Sequence, residues 1–361
     1  MYKNFLAAVG LLCCSFMFAQ ESNPFEVELN YFYGSILRHN KDITSLITGH
    51  PEGLILSYNK KTYGNKEWSR RYNYPDYGFT FAYQDLKNDN LGKTYNALAH
   101  YSFYFLNRKL MFRVGQGIGY TTNPFDIDTN VANNAYGSRF FSATLVMLNY
   151  KQPITPQISL QTGLTFLHGS NGNFKAPNTS TNTLAINTGV VYTNKPIPDY
   201  IPRGSRERYT EPIGFNFALN MGLNESDYVG LGQEPFLILT AYADKRLSKK
   251  STILAGGEFF VSKFLKNEIE FLSVAFPSFG VTKDQDWKRA GVFVGHELRF
   301  NKTALMTHAG YYVYYPYDFE GRFYQRVGLK HYIQEKYFVS AAVKTHGAKA
   351  EAVEFGLGIR L

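Results

Sequence analysis

Beyond residue 23, apolar and polar positions alternate in segments of roughly ten residues, rich in Tyr, Phe, Val, Ile and Thr. In 157–168, Ile158, Leu160, Thr162, Leu164 and Phe166 share one face, and Ser159, Gln161, Gly163 and Thr165 share the other. The next segment repeats this, with Leu184, Ile186, Thr188, Val190 and Tyr192 against Thr183, Asn187 and Gly189. A period of two is that of a strand, whose side chains point alternately to opposite faces. Such segments recur near 24–38, 50–63, 74–85, 92–106, 109–121, 138–150, 157–168, 182–193, 212–223, 235–247, 251–263, 288–300, 303–315, 321–333, 336–346 and 350–361. They predict an all-β chain, an antiparallel transmembrane β-barrel of roughly 14–16 strands.

The connections carry the same reading. Asn107-Arg108, Lys151–Pro156, Ser248–Lys250, Asn301-Lys302 and Gln334-Glu335 are short links, whereas 122–137, 169–181 and 264–287 are long. Membrane barrels have short turns at one end and long loops at the other. Two connections, 64–73 and 194–211, are too long for the short-turn end. The second holds Pro196, Pro198 and Pro202, with Pro212 following, and also fits a boundary between two halves. One barrel over 20–361 is the expectation. Its last strand, Glu351–Leu361, alternates Val353, Phe355, Leu357, Ile359 and Leu361, like the terminal signal read by barrel-insertion machinery.

No later stretch has about 18 uninterrupted apolar residues, so a membrane helix is not expected, but a closed barrel is. The alternation also fits a soluble periplasmic sandwich; the strand number and aromatic load favour the membrane. Aromatics make up 17% of 361 residues, with 28 Tyr and 30 Phe. Tyr311, Tyr312, Tyr314, Tyr315 and Tyr317 read as an interfacial belt. At the start, Lys3 precedes an apolar run from Phe5 to Met17, and Ala19 suits cleavage, so 1–19 read as a signal peptide. Cleavage removes both cysteines, Cys13 and Cys14, which excludes a disulfide framework. The formal charge falls from +9 to +8 (9 − 1, for Lys3), favouring phosphate- or carboxylate-bearing partners.

One constellation carries chemistry: Phe166-Leu167-His168-Gly169-Ser170-Asn171-Gly172-Asn173-Phe174-Lys175-Ala176-Pro177-Asn178, followed by Asn182. At about 3.3 Å per residue, His168 and Ser170 lie on one face with Cα atoms within about 7 Å. A His nitrogen within reach of a Ser hydroxyl is a base beside a nucleophile. Hairpin closure brings Asn182 to the other His nitrogen, where it fixes the tautomer. Asn171 and Gly172 are candidate donors to a developing oxyanion. His168 has the parity of Leu160 and Leu164, the lipid-facing side of a barrel wall. The site would then meet a lipid ester at the headgroup–acyl boundary, and Lys175 could meet a lipid phosphate.

The run His168-Gly169-Ser170-Asn171-Gly172 with Lys175, Pro177 and Asn178 resembles the PagL-type lipid A 3-O-deacylases, also called acyloxyacyl hydrolases. The motif spans Phe166 to Tyr192, and the PagL-like portion about 20–193. The stretch Lys344-Thr345-His346-Gly347-Ala348-Lys349-Ala350-Glu351 to Leu361 is similar to long members of that group. The resemblance implies a bacterial outer-membrane barrel with His168 as base and Ser170 as nucleophile. It implies removal of an ester-linked acyl chain from lipid A or lipopolysaccharide in the outer leaflet, with no metal. Those deacylases have Glu as third member and eight strands; Asn182 stands at that position here. Asn twelve residues after Ser is instead similar to outer-membrane phospholipase A, which implies calcium and a homodimer. A porin-like barrel is the non-enzymatic alternative. Nucleic acid is not an expected partner.

Other features read as structure. Gly115-x-Gly117-x-Gly119 lies within a predicted strand, outside the context of a nucleotide loop. His39, His50, His100, His296, His308, His331 and His346 lack ligand spacing and read as lumenal or interfacial. Arg203, Arg206 and Arg208 read as a solvated loop cluster.

Overall fold

The computed structural model describes residues 24–196, 198–204, 209–347 and 349–361. The leader expected over 1–19 lies outside the described residues, as do Arg206 and Arg208. Among the described residues sixteen strands pair antiparallel, and they close twice. The first barrel comprises β1 (Phe25–Ile36), β2 (Glu52–Lys60), β3 (Asp76–Asp85), β4 (Lys93–Phe105), β5 (Leu110–Thr121), β6 (Phe140–Pro153), β7 (Ile158–Ser170) and β8 (Thr181–Thr193). The second comprises β9 (Ile213–Asn224), β10 (Glu234–Arg246), β11 (Ser251–Ser262), β12 (Arg289–Phe300), β13 (Thr303–Tyr314), β14 (Phe323–Ile333), β15 (Tyr337–His346) and β16 (Lys349–Arg360).

The expected strand count and antiparallel pairing hold, but the single barrel over 20–361 is corrected to two of eight strands. β8 returns to β1, from Glu26↔Thr193 to Ile36↔Thr183, and β16 returns to β9, from Phe355↔Met221 to Arg360↔Asn216. Alternation specifies a strand and its faces, whereas closure depends on which distant edges meet. Eight strands make an interior just wide enough for side chains to fill.

Charged side chains from facing strands fill it. In the first barrel Arg113 pairs with Glu28 at 3.0 Å, Lys151 with Glu26 and Glu28 at 3.0 Å, and Lys61 with Asp76 at 2.6 Å. In the second, Arg326 bridges Glu258 at 2.7 Å and Glu354 at 2.6 Å, and Lys330 meets Glu297 at 2.8 Å. All are buried. The outward face is apolar, with Phe79, Ile186, Val294 and Phe355 exposed. This inside-out polarity is that of a barrel built for lipid. No helix among the described residues is long and apolar enough to cross a membrane.

The long connections gather at one end, which we term the upper end; β7 ends there at Ser170. The two connections that broke the length rule lie at the lower end. In 61–75, α1 (Glu67–Arg71) leads into Tyr72. The Tyr72 hydroxyl donates to Arg299 O at 2.8 Å, and its ring stacks on Phe300 at 4.4 Å. Arg71 Nη1 donates to Lys249 O at 3.2 Å. This connection is long because it clamps the second barrel. The other, 194–212, joins the barrels.

At the upper end, 263–275 forms a helix, α2 (Lys263–Ala275), where a loop was expected. Its apolar stripe of Phe264, Leu265, Ile269 and Leu272 packs on Tyr317 and Phe319. The tyrosine belt is also corrected. Tyr311 and Tyr314 face outward, but Tyr312 is lumenal and fully buried, and Tyr315 and Tyr317 are buried beneath the loops. Parity separates Tyr312 from Tyr311, and the register shift opposite Ala290 and Gly291 turns Tyr314 outward. The three glycines lie within β5, where close approach accounts for the second: a Cβ on Gly117 would sit 2.0 Å from Ala97 O.

Removing Arg326 would leave Glu258 and Glu354 buried without their shared cation. Arg326→Ala is expected to lower the stability of the chain by about 3–5 kcal/mol, read from urea unfolding in detergent. An unfolding midpoint equal to wild type would show that the lumenal network contributes nothing.

Candidate active site on the outer wall of the first barrel

The register of β7 and β8 sets His168 directly opposite Asn182. His168 Nδ1 and Asn182 Oδ1 are 2.6 Å apart. With the amide oxygen as acceptor, Nδ1 carries the proton and Nε2 keeps its basic lone pair. Both residues share the outward parity of Leu160, Leu164, Leu184 and Ile186, all of them exposed. His168 and Asn182 thus stand on the outward side of the first barrel's wall.

Ser170 ends β7 on the same side, two residues on. Its hydroxyl donates to Asn178 Oδ1 at 3.1 Å and accepts from the Gly172 backbone N–H at 3.1 Å. The sequence reading aimed this hydroxyl at His168; in the resting site it is turned to Asn178. Catalytic hydrogen bonds are often poorly aligned until substrate is bound. Of the two expected oxyanion donors, Gly172 N–H already touches the Ser oxygen. Asn171 is otherwise engaged: its backbone N–H donates to Asn178 Oδ1 at 2.9 Å and its Nδ2 to Lys175 O at 2.5 Å.

Asn178 appears in the sequence reading only as part of the motif. Its Oδ1 accepts from an unambiguous backbone donor, so the amide orientation is set and Nδ2 faces away. Nδ2 makes no hydrogen bond among the described residues, and Asn178 lines the cleft in front of Ser170. The signal that would have found it is its spacing: a ten-residue excursion from Ser170 to Thr181 returns it beside the serine.

Polar residues extend the site along the wall. Thr144 lies opposite His168 and Ser142 opposite Ser170. Gln116 bonds both, donating to Ser142 Oγ and accepting from Thr144 Oγ1, each at 2.7 Å. Their signal in the sequence is parity, since all three stand at outward positions of β5 and β6. His39, read as scattered, lies at the same cleft, 2.8 Å from Thr179 O. Among the described residues no group of three His, Cys, Asp or Glu side chains is placed to hold a metal.

The loop that carries Ser170's partners is held from both barrels. Within the first, Gly137 N–H donates to Pro177 O at 2.7 Å and Thr179 N–H to Asn134 O at 2.9 Å. From the second, Glu225 N–H donates to Asn173 O at 2.9 Å. Glu225 Oε2 accepts from Ala176 N–H at 3.0 Å, and Gln233 Nε2 donates to Phe174 O at 2.6 Å. Gly172 has φ +63°, and a Cβ there would lie 2.5 Å from Val353 Cγ2 of the second barrel. A side chain there would strain the backbone and crowd Val353.

Residues 52–191 match the family model described as lipid A 3-O-deacylase (PagL), and residues 213–361 match that of the acyloxyacyl hydrolase C-terminal domain. The chain belongs to the lipid A deacylase family. It is thus an ester hydrolase. The second match begins on the first residue of β9 and runs to Leu361, so each family model falls on one barrel. No curated protein matches the chain. Among solved structures, a mutant porin of Rh. blastica is 10% identical, covering 93% of this chain and 99% of its own, with a TM-score of 0.19. A deletion mutant of TodX, a monoaromatic hydrocarbon channel, is 11% identical, covering 95% and 89%, with a TM-score of 0.18. Superpositions this loose support no argument.

If Asn178 Nδ2 serves the oxyanion, Asn178→Ala is expected to lower kcat for ester hydrolysis by about 10²–10³-fold. Asn178→Asp keeps an acceptor for Ser170 and for Asn171 N–H but loses the donor, and is expected to fall as far. Full activity in Asn178→Asp would remove Asn178 from that role.

Proposed function

We propose that this chain is an outer-membrane serine esterase that removes an ester-linked acyl chain from lipid A. The observation that carries the reading is the placement of His168, Ser170 and Asn182 together on the apolar outer wall, with the His168–Asn182 contact at 2.6 Å. A soluble substrate has no reason to be met there; a lipid lying against the wall presents its ester at that height without entering a bore.

In the proposed reaction the Ser170 hydroxyl turns from Asn178 towards His168. Nε2 takes its proton as Oγ bonds the ester carbonyl carbon. Asn182 Oδ1 holds Nδ1–H and so the imidazole tautomer. Being neutral, it stabilises the imidazolium less than a carboxylate would, and mainly orients. Collapse of the tetrahedral intermediate returns the proton to the leaving alkoxide and leaves an acyl-enzyme. Water, activated by the same nitrogen, releases the fatty acid. Gly172 N–H, already on the nucleophile, and Asn178 Nδ2 are the donors nearest the developing charge. No step requires a metal ion. Lipopolysaccharide of the outer leaflet is the proposed partner.

Ser170→Ala and His168→Ala are each expected to reduce fatty acid release by at least about 10³-fold with the barrels still folded. Asn182→Ala is expected to cost less, about 10–100-fold, as loss of orientation. Mass spectrometry of purified lipid A before and after treatment measures both. Undiminished release by either of the first two variants would refute the assignment. Phospholipid, with and without a calcium chelator, is the second arm: preferential, chelator-sensitive turnover of phospholipid would move the chain to the phospholipase reading that its Asn182 shares.

A further inference from the structure

The two barrels do not touch along their whole length. Between the clamp at the lower end and the loops at the upper end lies a cleft of about 1880 Å³, lined by the outer walls of both. His168, Ser170 and Asn178 are among the residues that line its upper part. Below them the walls are apolar: Val114 and Phe112 of the first barrel face Leu305, Val327, Leu329 and Val343 of the second. At the bottom, Phe300 stacks on Tyr101 at 5.6 Å and meets Phe103 at 6.1 Å, which gives the cleft a floor.

We propose that this cleft is the binding site for the acyl chain that is cleaved, and that the second barrel limits how long that chain can be. The proposal rests on the serine esterase reading above and gives its substrate a place. Three features argue for this occupant. The apolar walls begin one step below the polar row of His168, Thr144 and Gln116, so an ester at Ser170 directs its chain past that row into them. The dimensions fit. Ser170 pairs with Ser142, and Ser142 with Ile118; the floor rings Tyr101 and Phe103 pair with Val114 and Phe112, which lie four and six residues further down β5. That is about 13–20 Å of strand, against roughly 15 Å for the chains that fill one leaflet, half of a hydrocarbon core of about 30 Å. The cleft is also closed below by aromatic rings, which suits the end of a chain and not a continuous partner surface.

Leu329 is on the far wall, remote from the catalytic groups, and tests the proposal. Purified wild-type protein and Leu329→Trp are assayed in detergent with butanoate and tetradecanoate esters of p-nitrophenol. The indole is expected to cut turnover of the tetradecanoate about tenfold or more while leaving the butanoate within about twofold, because only the long chain uses the remote wall. An unchanged ratio between the esters overturns the proposal. Should Leu329→Trp lose both activities, Leu329→Ala replaces it; that variant is expected to favour a hexadecanoate ester over the tetradecanoate relative to wild type, and an unchanged preference again overturns it. Should the wild type hydrolyse neither ester, it is the esterase reading that falls. The cleft is then read by fluorescence of a dansylated fatty acid, whose binding Leu329→Trp is expected to weaken about tenfold; indifference would end the acyl site as well.

Discussion

Everything in this molecule depends on each barrel pairing its last strand with its first. In hydrocarbon an open sheet edge leaves a row of N–H and C=O groups unsatisfied, at several kcal/mol each. The return of β8 to β1 and of β16 to β9 removes both edges of both sheets. Closure also decides which face is inside. A slip of one residue would exchange the two faces of a strand, placing Glu28 and Arg113 on the outer wall and His168 within the lumen. The lumenal ion pairs oppose that slip, because each charge is buried among partners on other strands and would be stranded by a change of register.

Closure into two barrels also explains how a polar site persists on a greasy wall. His168 and Ser170 are not isolated there. Gln116 bonds both Ser142 and Thr144 beside them, and Asn182 completes the row. The second barrel lines the same cleft as this row. Its Glu225 and Gln233 hold the backbone of the loop that presents Asn178. The C-terminal half is thus part of the scaffold of the site although the motif residues all belong to the N-terminal half.

Much of this was legible in the sequence. Alternation located the strands, and parity put His168 and Ser170 on the outer face. Parity with Leu184 and Ile186 also put Asn182 on that face, and hairpin closure brings it to His168, although a shift of two residues would keep the same face, so the exact register is non-local. What was not legible is non-local. Nothing in the spacing of Val190 or Leu357 states which edge each strand will meet. The wide connection at 64–73 breaks the length pattern in the sequence, and its reason is the stacking of Tyr72 on Phe300 of the other barrel. Asn178 was hidden for a different reason: its part depends on the fold of a loop without periodicity. Tyr312 shows the limit of reading composition without parity, since an aromatic run was taken for a belt while one of its members filled a lumen.

The strap between the barrels has a consequence of its own. Two barrels made as separate chains would find each other by lateral diffusion, and their partnership would dissolve as they became sparse. The Pro-rich segment 194–212 makes that encounter intramolecular, at an effective concentration set by a short tether. A groove made from two walls is then as complete in a lone molecule as in a crowded patch, and the output of each copy need not rise with how many others share the surface.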